Sequence, residues 1–335
     1  MSILTFGELM LRLTPALSGD KLAGSSAFGV NYAGSESNVA SSLAVLGNAV
    51  QFVTKLPDNP LGDGAIRSLR SYGIDTSLIS RGGERLGTYF IELGASIRPS
   101  RVVYDRKHSA FSEIAPGEFN WAEILKGKSW LFVSGITPAV SANCAAEAIA
   151  MVKEAKRMNV KVAFDFNYRR TLWNDRADAR VIFDEILAHT DLLLGNAGSL
   201  LDVYDVQING SNEEKQAEHG LQVAAETFGL KQVAFTIREH TSASQNKLGA
   251  VYLNNGKVYH SANYTVDIAD RFGTGDAFAA GMLHGLAHGW SDEKCVAFAG
   301  AAFALKHTIY GDQHTSTEQE IIAIMEGNTS GHVIR

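Results

Sequence analysis

The stretch DRFGTGDAFAAG (residues 270–281) sets two glycines, Gly273 and Gly275, in a turn that runs straight into Asp276 and an apolar helical pattern. Without a Cβ, glycine leaves backbone N–H groups approachable. At a helix start the unpaired amides and the helix dipole together attract anions. Gly273-Thr274-Gly275 therefore reads as an anion cradle. An aspartate beside such a cradle opposes what the cradle attracts, unless it must take a proton from a hydroxyl while phosphoryl charge develops next to it. Asp276 is thus the candidate base. A glycine turn with an acidic residue in the first helical turn is also ordinary helix chemistry, so the rest of the chain has to decide.

Outward from that turn, short β-rich runs alternate with helical patterns. Ile3–Phe6, Val50–Thr54, Trp130–Ser134, Val160–Asp165, Leu192–Gly195 and Val233–Ile237 are near-continuous apolar runs, as expected of strands covered on both faces. Val39, Leu43 and Leu46 recur at helical spacing before Gly47, and Ala65, Leu69 and Tyr72 do so before Gly73. Ser141 can cap a helix carrying Ala145, Ile149 and Val152. This alternation predicts an α/β fold with a mainly parallel central sheet and helices on both faces. Residues 10–32 and 86–112 break the rhythm with strand-like pieces such as Thr88–Leu93 and Arg101–Tyr104. They predict a small β-sheet lid, discontinuous in sequence, over a body made of 1–9, 33–85 and 113–335. Glu239–Lys247 (EHTSASQNK) reads as a polar loop, and the tail Gly327–Arg335 as frayed.

At 335 residues the chain can bury a large core. A net charge of −6 gives no general footprint for nucleic acid or an acidic membrane, so an anionic small substrate would need a local arginine cluster. Cys144 and Cys295 cannot build a disulfide framework, and no Cys/His spacing suggests zinc. The N-terminal MSILTFGELMLRL lacks a signal-peptide core, and no apolar run approaches membrane-span length. The expectation is a cytoplasmic protein.

Several segments bear on the chemistry. Gly34, Ser35 and Asn38 lie where a helix begins, able to approach a polyol or, alternatively, to supply an N-cap from Ser37 or Asn38. Arg98–Ser109 concentrates positive charge, either as a solvated edge or as part of a site. Asp165-Phe166-Asn167-Tyr168-Arg169-Arg170 follows a buried strand, where open α/β sheets bind ligands. Arg169, with Arg106 on the cover, could hold a carboxylate, while structural salt bridges remain open for both. Asn196 and Thr236 end successive strands on one rim, along which a nucleotide and its metal could lie. Asp312 follows an alanine-rich helix and either ends it in a turn or reaches the site.

Together these pieces resemble the PfkB (ribokinase-like) carbohydrate kinases along nearly the whole chain. Asp270–Gly281 is similar to that family's DTTGAGDxFxxG signature, and Gly34–Gly47 with Asn38 to its other one. Tyr89, Tyr104-Asp105-Arg106, Asn167-Tyr168-Arg169, Leu172-Trp173 and Gly311-Asp312 are most similar to the 2-keto-3-deoxygluconate kinases. The resemblance implies ATP and Mg²⁺ as cofactors, with Asp276 as base and the amides of Gly273, Thr274 and Gly275 as an anion hole. It implies that Gly34, Asn38, Tyr89, Tyr104, Arg106, Arg169 and Asp312 form the sugar-acid site. Asn167, Asn196, Thr236 and Arg238, with Gly273 and Gly275, fall on the nucleotide side, and Asp270 where some relatives bind a monovalent cation such as K⁺. The chain departs from the family at Ser199, where an acidic residue is usual, at Arg238-Glu239-His240, which replace a glycine-rich nucleotide turn, and at Arg271-Phe272, which replace Thr-Thr. A neutral-ketose kinase of the fructokinase kind and a non-catalytic sugar or nucleotide sensor are the other two readings. An exposed lid sheet would favour a homo-oligomer.

Overall fold

The apolar runs assemble into one large sheet in the computed structural model, which describes residues 2–17, 19–329 and 331. Among the described residues, nine strands run in the order Lys257–His260, Gln245–Asn254, Gln232–His240, Leu192–Gly195, Lys161–Asp165, Trp130–Ser134, Ser2–Phe6, Ala49–Leu56 and Ile79–Arg81. A tenth, Tyr264–Asp267, pairs with Gln245–Asn254. From Gln232–His240 to Ile79–Arg81 all neighbours are parallel. The strands beyond Gln232–His240 are antiparallel.

Side chains alternate between two cores. Ile3, Phe52 and Phe132 face one, with Val39, Leu43, Met282 and Phe298 of the covering helices. Leu4, Phe6, Val53, Leu131 and Val133 face the other, with Met151, Phe183 and Leu221. This double burial explains why the strands read as continuous apolar runs. Each fully buried Leu or Phe contributes about 1.5–3 kcal/mol by its removal from water. The helices start where capping chemistry directs. Asn59 accepts from Leu61 and Gly62 N–H ahead of Pro60–Ser71, and Ser141 accepts from Cys144 N–H ahead of Ala142–Arg157.

The two interrupting regions supply a separate four-stranded sheet, in the order Phe28–Ala33, Met10–Pro15, Thr88–Glu92, Arg101–Asp105. Its inner face carries Met10, Arg12, Tyr89 and Ile91, all buried. Its outer face carries Leu13 paired with Val30 and Phe90, and Phe90 paired with Val103; Val30 and Val103 are 56% and 46% exposed.

Glu239–Lys247 is not a loop. Gln232–His240 and Gln245–Asn254 pair antiparallel as far as His240 and Asn246, so only a tight turn separates them. That turn is held by the loop between Thr88–Glu92 and Arg101–Asp105, through Ala243 N–H to Ser96 O (2.8 Å) and Ser96 N–H to Ser244 Oγ (2.7 Å). Of the tail expected to fray, residues 330 and 332–335 lie outside the described residues. Cys144 and Cys295 are buried, and their Sγ atoms lie 3.4 Å from Phe111 O and 3.8 Å from Trp290 O. Burial pushes both thiols up to about 12. No helix among the described residues is long and apolar enough to cross a membrane.

Candidate active site

Gly273 is the N-cap of the helix Thr274–Ala287, with φ at +73°. A Cβ there would lie 1.8 Å from the Asp312 carbonyl oxygen, so conformation and contact both demand glycine. The N–H groups of Thr274, Gly275 and Asp276 belong to the first turn and have no intrahelical acceptor. No other backbone acceptor among the described residues takes them. A Cβ on Gly275 would meet open space. The turn therefore presents unsatisfied donors to the cleft it borders.

Asp276 sits beside those donors, 8% exposed. One carboxylate oxygen accepts from Ser35 Oγ (2.7 Å) and the other from Asn38 Nδ2 (2.8 Å), both on the helix Ser35–Val45. Asn167 Nδ2 donates to Ser35 Oγ (2.9 Å), which extends the relay to the end of the strand Lys161–Asp165. Burial, reinforced by the charges of Asp165 and Asp312 and opposed by the two hydrogen bonds, pushes Asp276 up to about 7. A carboxyl poised there can accept an alcohol proton near neutral pH. Neither Ser37 nor Asn38 is an N-cap. Gly34 holds that place, and a Cβ on it would strike Glu8 O at 2.0 Å.

The cleft encloses about 720 Å³ at the carboxyl ends of the parallel strands. On the side of the small sheet it is lined by Tyr89, Tyr104 and Asp312, with Gly34, Asn38 and Arg169 next to them. The Tyr89 and Tyr104 rings stack 6.0 Å apart, and Tyr89 Oη donates to Asp312 Oδ1 (3.0 Å). Burial and the Asp312 charge hold the Tyr89 phenol protonated, and burial raises Asp312 against the pull of Arg12. Arg169 is exposed and donates only to Tyr168 O (3.4 Å) among the described residues.

On the other side lie Asn167, Asn196, Thr236 and Arg238. Asn196 is also a cap, with Oδ1 accepting from Ser199 N–H (3.2 Å). Arg238 donates to Thr274 Oγ1 (3.1 Å) and lies 5.5 Å over the Phe303 ring. Burial, with the nearby charge of Arg271, lowers it to about 10. Among the described residues no carboxylate pairs with Arg238, which leaves its charge open to an anion in the cleft. Asp165 is raised to about 6 by burial, and its Oδ1 accepts from Asn167 N–H (3.1 Å). Hard divalent ions take oxygen ligands. Asp165, Asn167 and Asn196 supply such oxygens, and the free amides and Arg238 suit phosphates, so the cleft fits a metal–nucleotide pair.

Two expected site residues are engaged elsewhere. Arg106 does not line the cleft. Its guanidinium is buried against Glu8, through Nε (2.8 Å) and Nη2, and Ser109 Oγ donates to the same carboxylate (2.5 Å). The strand Arg101–Asp105 ends before it and turns it toward the body, so it does not clamp a carboxylate together with Arg169. Asp270 is buried among donors: Phe272 N–H (3.0 Å) on Oδ1, and Gly311 N–H (3.0 Å) with Arg12 Nη2 (2.6 Å) on Oδ2. Three donors, one of them a guanidinium, already occupy most of this carboxylate's acceptor sites and offset its charge.

Arg12, Glu8 and Lys306 belong to this neighbourhood and escaped sequence reasoning, and Ser35, read there only as a group near a polyol, is also the donor that holds Asp276. Arg12 bridges Asp270 and Asp312 across the junction of the two sheets. The signal for it was a single charged residue in MLRLTP, and for Lys306 a single charged residue in the apolar run FALKH.

Residues 1–319 match the pattern of pfkB family carbohydrate kinases, and the chain belongs to that family. It is 31% identical to a 2-dehydro-3-deoxygalactonokinase of Haloferax volcanii, over 98% of both chains. It is 28% identical to a 5-dehydro-2-deoxygluconokinase of Clostridium beijerinckii, over 91% of this chain and 86% of that one. Among solved structures it superposes on a 2-dehydro-3-deoxygluconokinase from Thermotoga maritima with a TM-score of 0.94 and 39% identity, over 98% of this chain and all of the other. The protein is a carbohydrate kinase with the ribokinase-like fold, related to the kinases of 2-keto-3-deoxy sugar acids.

Proposed function

We propose that this kinase transfers the γ-phosphoryl group of ATP to the terminal hydroxyl of 2-keto-3-deoxygluconate. The observation that carries the reading is Asp276 buried beside three unsatisfied amides, in a cleft whose far side offers two tyrosines and an exposed arginine. Tyr89, Tyr104 and Asp312 hydrogen-bond the sugar, and Arg169 holds its carboxylate end, so that the opposite hydroxyl points at Asp276. Asp276 takes the hydroxyl proton, and the unsatisfied amides of Thr274 and Gly275, with that of Gly273 beside them, receive the developing charge. Phosphoryl transfer is mainly positioning and charge stabilisation, so that proton leaves late. Asp165, Asn167 and Asn196 would hold Mg²⁺, which would supply further neutralisation of the phosphates. The segments 10–32 and 86–112 form a lid over the body and exclude water from the reacting group. The apolar outer face of the lid sheet, with Val30 and Val103 half exposed, suits pairing with a second copy of the chain. The setting is cytoplasmic.

The withdrawal of Arg106 into its pair with Glu8 favours a second reading, a neutral ketose such as fructose, because one exposed arginine is a weaker carboxylate site than two. Ser199 gives slight support to a sensor without catalysis, which any steady ADP release would remove. The test is a substrate panel of 2-keto-3-deoxygluconate, 2-keto-3-deoxygalactonate, gluconate, fructose and ribose with coupled ADP detection. The proposal expects the highest kcat/KM on the first. A preference for fructose overturns it in favour of the second reading.

A further inference from the structure

A monovalent cation at Asp270 is what the family resemblance implies, and the surroundings of Asp270 do not fit one. An alkali ion is held by oxygen lone pairs, and hydrogen-bond donors already compete for those nearby. Asp270 accepts from two backbone amides and from Arg12. In the segment that wraps it, His307 O accepts from the N–H groups of Ala269 (2.8 Å) and Asp270 (3.2 Å). Ile309 O accepts from Lys306 Nζ (2.9 Å). Lys306 ends the helix Asp292–Lys306 and is wholly inaccessible to solvent. Burial works to strip its proton, and the charges opposing that come first from Asp270 and then from Asp312. The cluster thus holds two carboxylates, Asp270 and Asp312, and two cations, Arg12 and Lys306. The formal charges of these four groups balance, so they leave little demand for a further cation.

We propose that the ammonium of Lys306, together with the guanidinium of Arg12, is a built-in replacement for a dissociable monovalent cation, so that the anion turn is organised without K⁺. The inference rests on the kinase reading, because that turn matters where phosphoryl charge develops. The contacts reach it directly. Lys306 fixes the Ile309 carbonyl. Gly311 N–H and Arg12 fix Asp270, and Asp270 holds Phe272 N–H, one residue before Gly273. The Asp312 carbonyl packs against Gly273 itself. A cation on a covalent tether is present at any salt concentration, whereas a free ion must be bound from solution. Lys306 acts through the turn and is a positioning residue.

The experiment measures turnover in tetramethylammonium salts, with K⁺ replacing them at constant ionic strength. Wild-type kcat is expected to stay flat. Lys306→Ala, which vacates the space of the ammonium, should lose roughly tenfold to a hundredfold in kcat through misplacement of the turn. K⁺ or NH₄⁺ should restore it. Lys306→Met fills the space without charge and should lose as much without rescue. Thermal unfolding of the free proteins gives a second readout, in which K⁺ should raise the Tm of Lys306→Ala alone. Activation of the wild type by K⁺ overturns the proposal, and so does a Lys306→Ala variant that is fully active without added cation or that no cation restores. If that variant fails to fold, the wild-type response decides by itself. If no sugar is phosphorylated, the kinase reading fails separately, and the unfolding curves still judge the cation claim.

Discussion

Replacing Asp276 by Asn should damage catalysis and stabilise the protein together, and the structure gives the size of the stabilisation. Asp276 moves from an ordinary 3.8 to about 7 because burial penalises its charge. A carboxyl with a folded-state pKa above its unfolded value keeps a proton that the unfolded chain has released. Stability contributed by that proton falls as pH rises from about 4 to about 7 and is fully lost above that. Each tenfold change in proton affinity is about 1.4 kcal/mol, so ionised Asp276 costs the fold on the order of 4 kcal/mol at about pH 8. Asparagine removes that charge. It keeps the bond from Ser35 but points an amide donor at Asn38 Nδ2, and the mismatch costs about 1–3 kcal/mol. Asp276→Asn should therefore be about 1–3 kcal/mol more stable than wild type at about pH 8, and no more stable than wild type at about pH 4. Urea unfolding of the ligand-free proteins at the two pH values measures this. In the same variant kcat should fall roughly 10²–10⁴-fold with sugar and ATP binding retained. A stability difference independent of pH, or a near-normal kcat, would refute the reasoning.

Three further substitutions probe other parts of the site. Gly273→Ala places a Cβ against the Asp312 carbonyl at positive φ, and should cost roughly 2–4 kcal/mol in chemical unfolding together with most of the turnover. Arg238→Met removes a half-buried cation that has no carboxylate partner among the described residues. The free protein should lose no stability or gain some, while kcat/KM for ATP falls roughly tenfold to a thousandfold in steady-state assays. Equal effects on unfolding and on turnover would make Arg238 a packing residue instead. Arg169→Ala should raise KM for a sugar acid by roughly tenfold or more and leave a neutral sugar unchanged; equal losses on both would remove the carboxylate contact.

The body of the fold was legible because its strands are buried on both faces. Runs such as Leu192–Gly195 have no polar alternative, and the caps at Asn59 and Ser141 are local chemistry. The anion turn was legible for the same reason, since Gly273 and Gly275 act through their own backbone. What sequence could not supply was the pairing of charges across long separations. Arg106 reads as a free cation until Glu8, 98 positions away, is brought against it. Asp270 reads as an open ligand until Arg12 arrives from the small sheet, 258 positions away. The stretch Glu239–Lys247 misled for another reason: its polar residues lie at the exposed end of a hairpin, where pairing with Gln245–Asn254 needs no apolar pattern.

The two cysteines have a practical consequence. With both thiols buried and far from ionising at neutral pH, thiol-directed dyes have almost no native target. Ile97 stands 97% exposed next to Ser96, at the point where the small sheet touches the 241–244 turn. A cysteine placed at Ile97 would give a uniquely labelled enzyme without removing either natural cysteine, and a fluorophore there would report any movement between the small sheet and that turn as sugar and nucleotide bind.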